Sequence, residues 1–397
     1  MAEIARISLV PIAHDEEETV NVDAEEGELT DDVGLALSGG GFRAMLFHAG
    51  ALWRLNQSGL LENLDRISSV SGGSIISGLL GLRWKDLDFV DGVARRYQDL
   101  VVAPLMDFAS ETMDVGSALR GVLLPGSVSR RISSRYRQLY GKSTLQDLPG
   151  DGEGPRFVIN ATNLQSGVLW RFSRPYMADY KVGMVRNPKV SLADAVTASS
   201  AFPPFLSPFT LKVKKSAFTD ESKSWSLAKR LQGKKVTLSD GGVYDNLGLQ
   251  TIFDRHQTVL VSDGGAPFDV QDRVAKNWLM HTVRVLLTVQ RQVGALRKNQ
   301  LIEAYRLDRD NELHRFGSYW GIGSWVASYE LDDPIEINQT VADDIAAIPT
   351  RLGKLTEVQQ KQLINWGYVI CDTALRKWVF PDDGKPDQPP FPDFPLA

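Results

Sequence analysis

Residues 33–43 read VGLALSGGGFR, and residues 67–74 read ISSVSGGS. Each stretch is a short apolar run that closes in a glycine-rich turn, and apolar residues at roughly helical spacing follow each turn. Because a continuous apolar run is typical of a buried parallel strand, both stretches predict a strand, a turn and a helix. Further strand signals occur at residues 157–162, 168–172, 236–239 and 258–262. Strands that alternate with helices favour an α/β fold of three layers, with helices on both faces of a mainly parallel central sheet.

Both glycine-rich turns are predicted to lie at the carboxyl ends of strands, where sheets of this kind bind ligands. Gly39, Gly40 and Gly41 allow consecutive backbone N–H groups to face one point, and the helix after them adds its positive end. These three residues are the predicted oxyanion hole. Ser71 stands directly at the end of the second strand, on a tight elbow that can present its hydroxyl. A turn that donates hydrogen bonds beside a turn that presents a serine suggests serine acyl transfer.

Other interpretations of these turns stay open. Ser74 is an alternative nucleophile or the N-cap of the helix. The first turn is also compatible with phosphate binding, although it has neither the Gly-Lys-Ser/Thr of a P-loop nor a complete dinucleotide-binding fingerprint. Arg43 lies one residue into the helix, where a cation opposes the helix dipole, so we expect it to have a specific task. It either orients an anionic head group, as a substrate-binding residue, or braces the loop.

A nucleophilic serine needs a base, and none of the five histidines lies in a glycine-rich or strand-end context. Asp240 is the stronger candidate, because it follows a strand and precedes two glycines that leave room beside its carboxylate. A carboxylate can act as the base if it is partly desolvated and within hydrogen-bond distance of the hydroxyl. Asp263 is followed by the same two glycines and is the competitor, but the motif around Asp240 is fuller.

Taken in order, SGGGFR (38–43), SVSGGS (69–74), AVTASSAFP (195–203) and DGG (240–242) resemble the patatin-like phospholipases. The resemblance covers residues 33–268. It implies that the glycine-rich loop forms the oxyanion hole, that Ser71 is the nucleophile and that Asp240 is its only catalytic partner. In related cytosolic phospholipases the arginine after the loop is linked to the substrate phosphate, which implies that role for Arg43. Two departures are Ser69 for the usual elbow glycine and Ser38 where plant patatins carry Asp.

The expected activity is therefore release of fatty acids from phospholipid or lysophospholipid esters. A carboxylesterase or neutral-lipid lipase with the same dyad is one alternative, and a non-catalytic module that binds an anion or phosphate is another. We expect a lipid substrate, no nucleic-acid partner, no cofactor and no metal site, because the single cysteine and the scattered histidines give no ligand spacing. The oligomeric state is not predicted.

Charge and composition divide the chain into four segments. Residues 1–32 are an acidic leader with eleven acidic residues and one basic residue, although the whole chain has 49 acidic and 44 basic residues. Residues 33–270 form the predicted catalytic domain. Residues 271–380 are predicted to be a helical cover packed on it, and residues 381–397, with six prolines, a loose tail. An apolar stripe in the cover predicts buried core at Leu279, Val283, Leu286, Val289, Val293 and Leu296.

The cysteine content and the lengths of the apolar runs predict where in the cell the protein is found. The one cysteine, Cys371, favours a reducing environment, and no apolar run is long enough to span a bilayer. We therefore expect a cytoplasmic protein whose membrane contact, where it occurs, is peripheral. Basic residues in 120–142 and 212–235 are candidate contacts with anionic lipid, with ordinary solvated surface as the alternative.

Overall fold

The computed structural model describes residues 29–113, 127–204, 206–219, 230–267, 270–274 and 276–396. Within these residues the strands are β1 (Thr30–Leu37), β2 (Arg66–Val70), β3 (Phe89–Val90), β4 (Val93–Ala94), β5 (Arg156–Asn163), β6 (Val168–Phe172), β7 (Tyr176–Asp179), β8 (Gly183–Arg186), β9 (Phe209–Lys212), β10 (Lys235–Asp240), β11 (His256–Asp263) and β12 (Phe316–Gly321). The helices are α1 (Gly41–Gln57), α2 (Gly72–Arg83), α3 (Ala103–Ala109), α4 (Ser127–Tyr140), α5 (Leu192–Ser199), α6 (Gly242–Asp245), α7 (Trp278–Arg306), α8 (Gln339–Ala346) and α9 (Glu357–Trp378).

One mixed sheet organises the molecule. Its strands lie side by side in the order β12-β11-β1-β2-β5-β6-β7-β8, and β10 pairs with both β5 and β9. The five strands from β12 to β5 are parallel, and the remaining pairs are antiparallel. The predicted α/β fold with a mainly parallel central sheet is confirmed, because the four pairs from β12 to β5 are parallel. Both glycine-rich turns follow strands of this parallel part.

The antiparallel strand β10 decides where the site forms. Strand β2 pairs with β5 up to Val70, which lies opposite Asn160. Strand β10 runs the other way along the same edge of β5 and ends at Asp240, opposite Ala161. The two strands therefore meet end to end on one neighbour, and this brings the residue after Val70 close to Asp240.

The two faces of the sheet are covered differently. The larger hydrophobic core lies on the side of α1, α2, α5 and α9, and α1 is buried along almost its whole length. A smaller cluster on the other face joins Ala36, Val259 and Val261 of the sheet to Leu301 and Ala304 near the end of α7. Helices thus pack against both faces, as expected for a three-layer α/β/α arrangement.

Helix α9 contacts α1 at unusually close range. A β-carbon on Gly50 would lie 1.8 Å from the carbonyl oxygen of Ile364, and one on Gly367 would lie 1.9 Å from that of Phe47. Only glycine fits at either place, because such distances leave no room for a side chain. The C-terminal helix is therefore part of the main core.

The C-terminal region differs from the prediction in two respects. It contributes strand β12 to the sheet as well as helices. The interpretation of the α7 stripe as buried core is wrong, because Leu279, Val289 and Leu296 are exposed and Val283, Leu286 and Val293 are only partly buried. The stripe has helical periodicity, but the sheet covers only the last turns of α7, where Leu301 and Ala304 are buried.

The ends of the described chain are held by specific contacts. Strand β1 begins at Thr30, inside the predicted leader, and Asp32 bonds to His256. Residues 1–28 lie outside the described residues. The proline-rich segment has neither helix nor strand, yet the side-chain amide of Asn365 donates to the carbonyl groups of Phe391 and Phe394. In the described part of the chain, no helix is long and apolar enough to cross a membrane.

Candidate active site

Ser71 occupies a strained turn between β2 and α2. Its φ of 50° and ψ of −114° lie outside the regions that residues with a side chain normally adopt. The turn also passes close to the first glycine-rich loop, since a β-carbon on Gly72 would lie 2.3 Å from the carbonyl oxygen of Gly41. Strain of this kind is held by the surrounding structure and is characteristic of a serine presented on a nucleophile elbow. Ser71 itself remains partly exposed.

Asp240 lies beside Ser71, with its carboxylate buried. The backbone N–H of Gly242 donates a hydrogen bond to Oδ1 at 2.7 Å. The Ser71 hydroxyl lies near enough to the same carboxylate to stabilise its charged form. The residue is 2% exposed. The structure therefore brings together the two side chains that the sequence analysis selected as nucleophile and base.

Burial changes the acidity of Asp240. Loss of hydration raises the pKa of its carboxyl group from 3.8 to about 7, and the hydrogen bond from Gly242 and the nearby Ser71 hydroxyl oppose only part of that rise. A carboxylate whose pKa lies near neutrality accepts a proton much more readily than an exposed one does. This is the property that a general base acting without histidine needs.

The backbone N–H groups of the first glycine-rich loop differ in whether they have a hydrogen-bond acceptor. The N–H of Gly39 donates to the carbonyl oxygen of Asn246 at 3.0 Å, and the N–H of Phe42 donates to that of Arg351. Among the described residues, the N–H groups of Gly40 and Gly41 have no acceptor. Gly41 has a φ of 65°, a conformation that favours glycine. Of the three predicted donors, Gly40 and Gly41 thus keep N–H groups without a described acceptor, whereas Gly39 holds the loop against Asn246.

Arg43 is directed into the protein. It is 1% exposed, and its guanidinium donates to the carbonyl oxygens of Gly264 and Ile348. Burial lowers its pKa to about 10, with Asp263 acting in the opposite sense. These contacts tie the glycine-rich loop to the turn after β11. They favour the bracing role over contact between Arg43 and a substrate head group.

Ser199 is a positioning residue that the motif analysis did not single out. Its Oγ accepts the backbone N–H of Ser71 at 2.9 Å and donates to the carbonyl oxygen of Asn160 at 2.6 Å. The same hydroxyl lies 2.9 Å from Oγ of Ser74, which also donates to Ser69. Ser199 belongs to the segment AVTASSAFP at 195–203, so a signal for it was present in the sequence.

The competing residues have other partners. The carboxylate of Asp263 accepts hydrogen bonds from the N–H of Gly265 and from the Tyr319 hydroxyl. Ser74 is fully buried in the serine network. The structure places neither residue at the open side of the elbow.

His48 is the histidine nearest to the loop. It is fully buried between Ser262 Oγ and the carbonyl oxygen of Ser38, and burial lowers its pKa to about 4. Because a carbonyl can only accept, the proton lies on Nε2, and the neutral ring supports the strand that leads into the loop. Within the described ranges, no three His, Cys, Asp or Glu side chains are grouped so that they could hold a metal ion.

Comparison with solved structures gives distant likenesses. The chain resembles human GIVD cytosolic phospholipase A2 at 13% identity and a TM-score of 0.48, over 87% of this chain and 59% of the human protein. It resembles VipD from Legionella pneumophila at 16% identity and a TM-score of 0.33, over 87% and 66% of the two chains. No curated protein sequence matches.

The sequence model of one family matches the chain directly. Its description is "Patatin-like phospholipase", and the match covers residues 35–252, more than half of the 397 residues. That range contains both glycine-rich turns, the Ser199 segment and Asp240. The chain therefore belongs to the patatin-like phospholipase family.

Proposed function

We propose that this protein is a serine acyl hydrolase that releases fatty acids from phospholipid or lysophospholipid esters. The observation that carries the proposal is the proximity of the Ser71 hydroxyl to the buried carboxylate of Asp240, on an elbow beside a loop in which two N–H groups have no acceptor among the described residues. The family is one of lipid hydrolases, and this arrangement supplies the nucleophile, base and oxyanion donors that such chemistry needs.

The first half of the reaction forms an acyl-enzyme. Asp240 accepts the Ser71 proton while Oγ bonds to the ester carbonyl carbon, and the carbonyl oxygen becomes an oxyanion held by the N–H groups of Gly40 and Gly41. Collapse of this intermediate breaks the bond between carbon and the alcohol oxygen. Asp240 then returns the proton to the departing alcohol, which leaves the acyl group on Ser71.

The second half repeats the same steps with water. Asp240 takes a proton from a water molecule, whose oxygen bonds to the acyl carbon and again produces an oxyanion. Breaking the bond to Oγ releases the fatty acid, and the proton on Asp240 restores the Ser71 hydroxyl. Ser199 keeps the Ser71 backbone in place throughout, because it holds the amide of that residue.

A neutral-lipid or simple carboxylic ester is the second candidate substrate, and the position of Arg43 favours it. With its guanidinium bonded to two backbone carbonyl groups, Arg43 offers no contact to a phosphate. The dyad acts on the ester group alone, so it is equally suited to an ester without a phosphate. Phospholipid preference would then require other residues.

Covalent labelling with a fluorophosphonate tests the proposal. We expect one adduct on Ser71 in the wild-type protein and in Ser74→Ala, and none in Ser71→Ala, by intact mass and peptide mapping. Hydrolysis should fall by about 10³-fold or more in Ser71→Ala and Asp240→Asn, with thermal unfolding as the control for folding. Asp263→Asn should retain activity.

The opposite pattern would reject the proposal. An unlabelled wild-type protein that binds phosphate would point to an anion-binding module. Activity that survives in Asp240→Asn and is lost in Asp263→Asn would transfer the role of base. A panel of phospholipid, lysophospholipid and neutral esters then separates the two candidate substrates, and cell fractionation tests the predicted cytoplasmic location.

A further inference from the structure

The first two thirds of α7 and the segment before it concentrate the exposed apolar surface of the protein. Fourteen large hydrophobic side chains are exposed in the described residues, and eight of them lie between residues 270 and 296. They are Val270, Val274, Trp278, Leu279, Met280, Val285, Val289 and Leu296. A concentration of this kind on one segment indicates a contact surface, whereas scattered exposed hydrophobic residues do not.

Four of these side chains form one stripe. Trp278, Val285, Val289 and Leu296 are spaced by seven, four and seven positions, which places them within about 40° of one another around the helix axis. Their exposed fractions are 78%, 49%, 51% and 62%. The stripe therefore runs along the outer surface of α7 for five turns.

Another face of α7 lies against the candidate active site. The side-chain amide of Gln290 donates to the carbonyl oxygen of Gly242 at 2.8 Å. Arg297 pairs with Asp245 at 3.6 Å. Since the N–H of Gly242 holds the Asp240 carboxylate, α7 is seated directly on the turn that carries the proposed base.

The segment that carries the stripe is rich in basic residues, of which Arg297 is paired with Asp245. Residues 270–298 contain six arginine and lysine residues and one acidic residue, Asp272, a balance of +5 in a chain whose net charge is −5. No acidic residue follows until Glu303. A helix with an apolar face, a tryptophan near its end and a surplus of cations matches an anionic membrane surface, in which it lies parallel to the bilayer plane.

We propose that the α7 stripe docks the protein on anionic phospholipid bilayers and holds the site against its lipid substrate. Docking on the bilayer does not depend on the proposed function, and only the second effect, holding the site against a lipid substrate, rests on it. The basic residues predicted earlier as lipid contacts belong to other segments of the chain, and Arg120 and residues 220–229 among them lie outside the described residues.

Vesicle co-sedimentation tests the docking. Ser71→Ala protein is used so that vesicles are not degraded, with bilayers of phosphatidylcholine alone or with one third phosphatidylserine. We expect binding to the anionic vesicles that weakens as salt increases, and a loss of about tenfold or more in partitioning for Trp278→Ala/Val289→Ala. The matched control is Trp378→Ala/Val358→Ala, which removes the same residue types at 61% and 50% exposure from α9 and should bind as the parent does.

Two results would overturn the proposal. The first is equal loss, or no loss, in the α7 variant and its control, when both have the unfolding temperature of the parent. The second is a concentration-dependent dimer that Trp278→Ala/Val289→Ala converts to a monomer, which would assign the stripe to a second copy of the chain. Binding is measured without hydrolysis, so a failure of docking and a failure of the proposed chemistry are distinguishable.

Discussion

The backbone N–H of Ser71 donates to the hydroxyl of Ser199 across 2.9 Å, and the Ser199 hydroxyl in turn donates to the carbonyl oxygen of Asn160. The strained elbow is thereby tied to β5, the strand on which β2 and β10 meet. A residue that touches no reacting atom in the proposed mechanism thus fixes the position of the proposed nucleophile.

Replacement of Ser199 should lower turnover without weakening binding of a soluble ester. For Ser199→Ala we expect kcat to fall about tenfold, the equivalent of one hydrogen bond, with KM changed by about twofold or less. The pH at half-maximal activity should not move, because Asp240 is untouched. Ser77→Ala is the control, since the Ser77 hydroxyl is buried and has no hydrogen-bond partner among the described residues. Equal effects of the two substitutions would contradict a positioning role.

The pH dependence of hydrolysis should report the pKa of Asp240. The base must be ionised, and burial raises its pKa to about 7, so activity should rise with pH and reach half its maximum at a pH of about 7. Measurement of kcat/KM for a water-soluble monomeric ester from pH 5 to 9 avoids changes in vesicle charge. A profile that is flat over this interval would show that another group acts as the base.

The same carboxyl group should make the protein less stable as the pH rises. Its pKa is higher in the folded state than in the unfolded one, so its contribution to stability is greatest below pH 4 and is lost as the pH rises through about 7. Asp240→Asn removes this dependence. Relative to wild type, the variant should gain stability between pH 5 and 8, by at most about 3 kcal/mol.

Denaturant unfolding at the two pH values measures this gain. Asp263→Asn serves as the control, because the wild-type Asp263 carboxylate is partly exposed and accepts hydrogen bonds from Tyr319 and Gly265. A difference in unfolding free energy between wild type and Asp240→Asn that does not change with pH would contradict the raised pKa.

Loss of Arg43 should affect all ester substrates alike. Arg43→Met keeps much of the apolar stem but leaves the carbonyl groups of Gly264 and Ile348 without their donor, which should cost about 2 kcal/mol or more of stability. Turnover of a phospholipid and of a neutral ester should then fall by similar factors. A selective loss of phospholipid hydrolysis of tenfold or more would instead place Arg43 at the head group.

Substitution of glycine in the α1–α9 contact should destabilise the whole fold. A β-carbon at Gly50 or Gly367 would overlap backbone, so each change to alanine should lower the free energy of unfolding by about 3 kcal/mol or more. Gly294 in α7 has open space around it, and Gly294→Ala should stabilise the protein by about 1 kcal/mol. Denaturant titration of the three variants measures this contrast, and a stable Gly367→Ala protein would contradict it.

The sequence predicted the parts of the site that depend on local chemistry. Ser71 and Asp240 were found because a strand end followed by glycines has a recognisable composition. Their contact was not derivable, because it requires β10 to run antiparallel along β5, and strand direction is set by long-range pairing. The exposure of α7 was missed for a related reason: periodicity shows that a helix has an apolar face, but not what that face contacts.

Strand β12 shows the same limit in the sheet. Its sequence, FGSYWG, mixes glycines with aromatic residues and lacks a continuous apolar run. The strand forms because it pairs in parallel with β11 from Phe316 to Gly321, and it is therefore the edge strand of the parallel group.

The close approach of α9 to α1 shows that the end of the family match and the end of the folded unit are different places in the chain. The family match ends at residue 252, yet a helix more than a hundred residues later completes the packing around the helix that follows the glycine-rich loop. A fragment that ended at residue 252 would expose the apolar surface of α1 that α9 covers, and it would aggregate. Transplanting this catalytic unit into another scaffold therefore means carrying its distal helix with it.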